Sequence, residues 1–92
     1  MTIMRESKIE GDVSKHAKST GWLTYKFSSP NHRGVPDRIY IRNGVTIFIE
    51  FKATGEKPRP LQVVTINQMK EHGAKVFIVD SIEKGIEVLN AN

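Results

Sequence analysis

The sequence predicts an α/β fold in which a mixed β-sheet is flanked by helices, in the chain order α-β-β-β-α-β-α. Two β-rich runs meet at Asn43-Gly44, apolar residues recur at helical spacing on either side of this pair, and a fully apolar run, AKVFIVD, follows the second helical segment. An antiparallel hairpin followed by a helical crossover into a further strand puts both strand directions in one sheet.

The elements follow in order. From Glu6 to about Thr20, Ile9, Val13 and Ala17 fall on one helix face, and Gly21 is suited to end it. WLTYKF, 22–27, alternates as a strand, and SSPNHRGVP, 28–36, is dense in turn formers and reads as a loop. Residues 37–42 and 45–52 are β-rich, and Asn43-Gly44 between them favours a two-residue type I′ turn. ATGEKPRP, 53–60, is a polar loop, and LQVVTINQMKEHG, 61–73, is a helix stopped by Gly73. Residues 74–80 form the last strand, and Asp80 with Glu83 is expected to cap a final helix over 81–90.

Length and composition narrow the function classes. At 92 residues the chain is expected to make one domain, 1–92, with little left for a second module. The absence of cysteine excludes a disulfide frame and a thiolate zinc site and suits a reducing compartment. The N-terminal MTIMRESKIEG is charged within five residues and lacks the apolar core of a signal peptide. No run approaches the ~18–20 apolar residues that span a bilayer. A cytoplasmic or nucleoid-associated protein without membrane contact is expected, in the host cytoplasm if the source is viral. The net charge of +4 is concentrated, because Lys26, His32, Arg33, Arg38, Arg42, Lys52, Lys57 and Arg59 lie in or beside the middle third. A polyanion is the partner such a distribution suits.

Within that basic region stand acids that need an explanation. A two-residue turn at Asn43-Gly44 pairs Arg42 with Val45 and, carried along the hairpin, sets Asp37 across from Glu50. Opposed residues have Cβ atoms about 4.5–5.5 Å apart, where like charges repel. Lys52 shares the face of Glu50, and so do Ile39, Ile41 and Phe48. A solvated ion cluster is one reading. The apolar neighbours favour another, in which a proton or a hard divalent cation neutralises the two carboxylates. A third acid is available on the first helix, where both Glu6 and Glu10 lie on or near the apolar face, and periodicity does not choose between them.

Pro36-Asp37 followed by Glu50-Phe51-Lys52 resembles the PD-(D/E)xK nuclease motif, set in the element order of a restriction-endonuclease-like core. The segments ESKIE, GVPDR, FIEFKATG and PLQ are similar to those of the VRR-Nuc (virus-type replication-repair nuclease) branch in its stand-alone viral or bacterial form. The resemblance implies a metal-dependent DNA endonuclease. In it Asp37 and Glu50 ligate Mg²⁺, which Mn²⁺ can replace, Phe51 offers its carbonyl, and Lys52 orients or activates the attacking water. Related archaeal junction resolvases carry a helix glutamate eleven residues before the glycine that ends the helix, which implies Glu10 as a further metal ligand. Gln62 matches the family's glutamine after the ExK strand, although Ile66 stands where an aromatic is common. The substrate implied is branched or Holliday-junction DNA, with a homodimer presenting two sites. A nicking or flap-type nuclease, or a DNA-binding module with a decayed nuclease core, is the alternative.

Lys26, Ser29, His32, Arg33, Lys57 and Arg59, with Ser28 beside them, are candidate phosphate contacts, and a merely solvated loop is the competing reading for them. Asn31-His32 has no second histidine motif at a spacing that would make an HNH nuclease. Trp22 is expected in the core or, with the last helix, in a dimer contact.

Overall fold

In a computed structural model, which describes residues 3–92, the chain forms α1 (Glu6–Ser19), β1 (Leu23–Lys26), β2 (Arg38–Arg42), β3 (Val45–Phe51), α2 (Pro60–Glu71), β4 (Lys75–Val79) and α3 (Ile82–Ala91). The sheet runs β1-β2-β3-β4, with β1, β2 and β3 antiparallel and β4 parallel to β3. This is the predicted order and the predicted mixture of directions. Asn43 at φ 50° and Gly44 at φ 78° make the type I′ turn. Their turn fixes the register of Arg42 on Val45 through Arg38 on Ile49.

That register sorts the side chains. Tyr40, Ile47, Ile49, Phe51 and Val79 point to one face and pack with Ile9, Val13 and Ala17 of α1 and Val88 and Leu89 of α3. The helices meet where Gly85 leaves no space, since a Cβ there would collide with Val13 Cγ2 and stand 2.9 Å from Val13 Cγ1. The opposite face carries Leu23, Tyr25, Ile39, Ile41, Phe48, Glu50 and Ile78 by alternation. Among the described residues α2 is the helix on this second face, burying Thr65 and Ile66, and Phe27 packs edge-on against Phe48 there.

One expectation needs correction, and of the two places expected for Trp22 the core is the one observed. The cap of α3 is Ser81, whose hydroxyl accepts from Lys84 N at 3.1 Å, while Asp80 Oδ2 turns back to accept from Gly55 N. The helix starts one residue later than the pattern suggested, so the capping position moves with it. Trp22 is 3% exposed within the core cluster, with the Arg42 guanidinium 4.3 Å from its ring centroid. A residue so covered has no surface to give to a dimer.

Candidate metal centre

Asp37 and Glu50 stand just past the last ladder pair, Arg38 with Ile49. At that point the sheet hands over from backbone to side-chain bonding. Asp37 Oδ2 accepts from Phe51 N at 2.8 Å, and the carbonyl of Asp37 accepts from Phe27 N at 2.8 Å. The aspartate therefore terminates β2 and tethers its carboxylate to the end of β3. Pro36 before it is fully buried, which fixes the approach of the loop.

Glu50 is 1% exposed. Its Oε2 accepts from Gln62 Nε2 at 2.8 Å and lies 3.2 Å from Lys52 Nζ. Gln62 is itself held by α2, because its Oε1 accepts from Arg59 N at 2.9 Å. The other carboxylate oxygen, Glu50 Oε1, is buried without a hydrogen-bond partner. Burial, and then the charge of Asp37, push the Glu50 carboxyl up to about 7 despite the opposing pull of Lys52. Asp37 is raised in the same sense, by burial against the Phe51 N–H that favours its anion. Two acids thus face each other with too little positive charge to keep both ionised at neutral pH.

The donor set fits a hard cation. Buried polar atoms rarely lack partners, and Glu50 Oε1 is a carboxylate oxygen without one beside a second carboxylate. Among the described residues no three acids or imidazoles converge into a closed ligand shell. A pair suits magnesium, which takes one or two carboxylates and fills its remaining positions with water and phosphate oxygens.

The two helix glutamates differ in their partners. Glu10 Oε2 accepts from Arg38 Nε at 2.7 Å and lies 2.6 Å from Lys26 Nζ. Lys26 and Arg38 are partners in the β1–β2 ladder, in phase with the buried Tyr40, so Glu10 is held on the α1 side of the sheet. Burial alone would raise Glu10, yet these two cations hold its carboxyl below the usual range. Glu6, one turn earlier at the start of α1, is raised by its partial withdrawal from water and then by the charge of Asp37. Its negative charge in turn contributes to the rise at Glu50. Both helix acids therefore act on the pair by charge: Glu10 adds to the rise at Asp37, and Glu6 adds to the rise at Glu50.

The remaining predicted contacts scatter. His32, Arg33, Lys57 and Arg59 are exposed, Ser29 is half-buried with its carbonyl accepting from His32 N, and Lys26 is engaged by Glu10. Phe51 buries its side chain in the core while its backbone borders Asp37. Reading the sequence alone missed the claim of Arg38 on Glu10 and the role of Gly34. Gly34 has φ +90°, and a Cβ there would lie 2.9 Å from Thr65 Oγ1 and 3.0 Å from Leu61 O. Only glycine lets the loop that delivers Asp37 lie this close to α2. The Gly-Val-Pro-Asp run was the available signal for it.

No family model matches the chain. A phage protein named "Putative nuclease p44", from Acyrthosiphon pisum secondary endosymbiont phage 1, is 42% identical over 82 residues, which is 88% of each chain. A solved structure titled "VRR_NUC domain" superposes with a TM-score of 0.82 at 24% identity, covering 92% of this chain and 94% of that one.

Proposed function

Because the chain belongs to the VRR-Nuc family, we propose that it is a divalent-metal-dependent DNA endonuclease whose metal is held by Asp37 and Glu50. The observation that carries this reading is the buried Glu50 Oε1 without a partner beside a second acid. Since no three acids converge on one point among the described residues, a helix acid joins the set through bound water; Glu10 is the one the motif implies, although Arg38 and Lys26 engage it, and Glu6, one turn earlier, is the alternative. The carbonyl of Phe51 is a further donor that the motif implies. When bound, Mg²⁺ or Mn²⁺ supplies Lewis acidity to a phosphate oxygen and lowers the pKa of a bound water.

The protein's own groups do the rest. Gln62 fixes the Glu50 carboxylate by its Oε2, leaving Oε1 for the cation. Lys52, buried and 3.2 Å from Glu50 Oε2, holds a positive charge beside the acids. There it stabilises negative charge developing on the phosphoryl oxygens or orients the attacking water. The exposed His32, Arg33, Lys57 and Arg59 supply backbone contacts that position a duplex without reading its bases.

Branched DNA is the preferred substrate, cut by a dimer that offers two sites. Six of the seven large exposed hydrophobics among the described residues, Leu23, Tyr25, Leu61, Val63, Val64 and Ile78, belong to α2 or to the sheet face that α2 partly covers. Together they expose on the order of 500 Å², a large part of the ~800 Å² each partner gives to a stable interface. A second copy, pairing like patches about a two-fold axis, is the occupant we assign to this side. The relative's phage origin fits a place of action in a host cytoplasm.

Supercoiled, flap and four-way DNA incubated with Mg²⁺, Mn²⁺ or EDTA test the reading. Metal-dependent paired cuts on the four-way substrate support it in full. Nicks at single sites would move it to the flap or nicking class. Binding without cleavage in any metal would leave a DNA-binding module.

A further inference from the structure

The segment 28–36 and helix α2 contribute one element each to the acidic pair. The segment leads into Asp37, and α2 supplies Gln62, whose Nε2 holds Glu50 Oε2 at 2.8 Å. Thr65 lies between them. It is 4% exposed, its hydroxyl donates to the carbonyl of Arg33 at 3.3 Å, and His32 Nε2 is 3.1 Å from the same oxygen. With its one hydrogen given to Arg33, the Thr65 oxygen accepts from His32, which places the histidine proton on Nε2. Gly34 then passes over Thr65 and the Leu61 carbonyl with no space for a side chain. From Gly34 only Val35 and the buried Pro36 intervene before Asp37, so little slack remains.

Thr65 and Gln62 are three residues apart on α2 and share a helix face. The result is a closed circuit. Asp37 is tied to the end of β3 through Phe51 N, Glu50 is tied to α2 through Gln62, and α2 is tied through Thr65 to the loop that carries Asp37.

We propose that Thr65 is a positioning residue for the metal-binding acids, its hydroxyl clamping the loop 32–34 to α2 and so fixing Asp37 relative to Glu50. The inference rests on reading the pair as a metal centre. Thr65 touches neither acid; it acts through the loop and through the helix. Groups that orient metal ligands typically change metal affinity or activity by about 10–100-fold when removed.

The test is titration calorimetry with MnCl₂ on the full chain without DNA. Thr65→Val keeps the side-chain shape and removes both hydrogen bonds, and it should raise the manganese dissociation constant at least about tenfold. Thr65→Ser keeps the hydroxyl and should stay within about threefold of wild type. His32→Ala, an exposed change that removes one of the two bonds, should fall between them and keeps the test open should Thr65→Val fail to fold. Amide exchange along 31–36 should quicken in Thr65→Val and not in Thr65→Ser. If Thr65→Val and His32→Ala both bind manganese as tightly as wild type, the clamp is structural only and the proposal is wrong. Wild-type protein that binds no manganese would overturn the metal reading itself, and the clamp's role with it.

Discussion

Replacing Glu50 by Gln should stabilise the metal-free protein at alkaline pH while removing a ligand of the proposed metal site. The group is raised from 4.5 to about 7 by burial and by Asp37. A carboxyl raised in the folded state is more protonated there than in the unfolded chain between those two values, so stability falls as pH rises through the window. Below 4.5 the glutamate is protonated in both states and costs nothing. Above 7 it is ionised in both, and the full penalty, about 3 kcal/mol, is present. For a domain of this size, 1 kcal/mol corresponds to about 4–8 °C of melting temperature, so the penalty amounts to roughly 12–24 °C. The glutamine keeps an oxygen for Lys52 and carries no charge to repel Asp37. The assay is thermal unfolding of wild type and Glu50→Gln in EDTA from pH 4 to pH 8. The variant's advantage should be absent at pH 4 and should approach that magnitude at pH 8. Melting curves that keep a constant separation over the whole range would refute the claim that Glu50 is a buried, repelled acid.

Other outcomes follow from the same geometry. Lys52→Ala should lose most cleavage with little change in manganese affinity, because an ammonium is not a ligand; normal turnover would reassign Lys52 to a structural pair with Glu50. Glu10→Gln should weaken manganese binding more than Glu6→Gln does. Glu10→Gln also deprives Arg38 and Lys26 of their carboxylate and should lower stability by on the order of 2 kcal/mol, read by denaturant unfolding; weaker manganese binding in Glu6→Gln alone would make Glu6 the helix acid of the site. DNA affinity should fall steeply with salt, as phosphate contacts require, and equal binding at 50 and 200 mM salt would contradict an interface built on His32, Arg33, Lys57 and Arg59.

The fold was legible because local signals agreed with one another. Asn43-Gly44 fixed a turn type, the turn fixed a register, and the register placed Asp37 and Glu50 at opposed positions beyond the last ladder pair. Gln62 is indicated only by the resemblance, as the glutamine after the ExK strand, and its side chain does meet Glu50. The helix acids were not separable, because a helical wheel gives an angle about α1 and says nothing of which sheet face that angle meets. The pairing of Lys26 with Arg38 in the β1–β2 ladder sets the two cations that engage Glu10. It spans the eleven residues 27–37, which carry no register signal of their own. Thr65 gave no signal at all, since a threonine within a helix is ordinary until the Gly34 backbone is seen against it. Trp22 could be core or contact by sequence, and its burial among the residues of the α1 side of the sheet places it in the core.

The central claim is that Asp37 and Glu50 hold a divalent cation that drives phosphodiester hydrolysis. Its most direct test is cleavage of supercoiled plasmid by wild type and Asp37→Ala side by side, in Mg²⁺ and in EDTA, with the fold of each checked by circular dichroism. Wild type should nick or linearise the plasmid in Mg²⁺ and leave it intact in EDTA, and the folded Asp37→Ala variant should leave it intact in both. Cleavage by the variant at the wild-type rate, or cleavage by wild type undiminished in EDTA, would contradict the account.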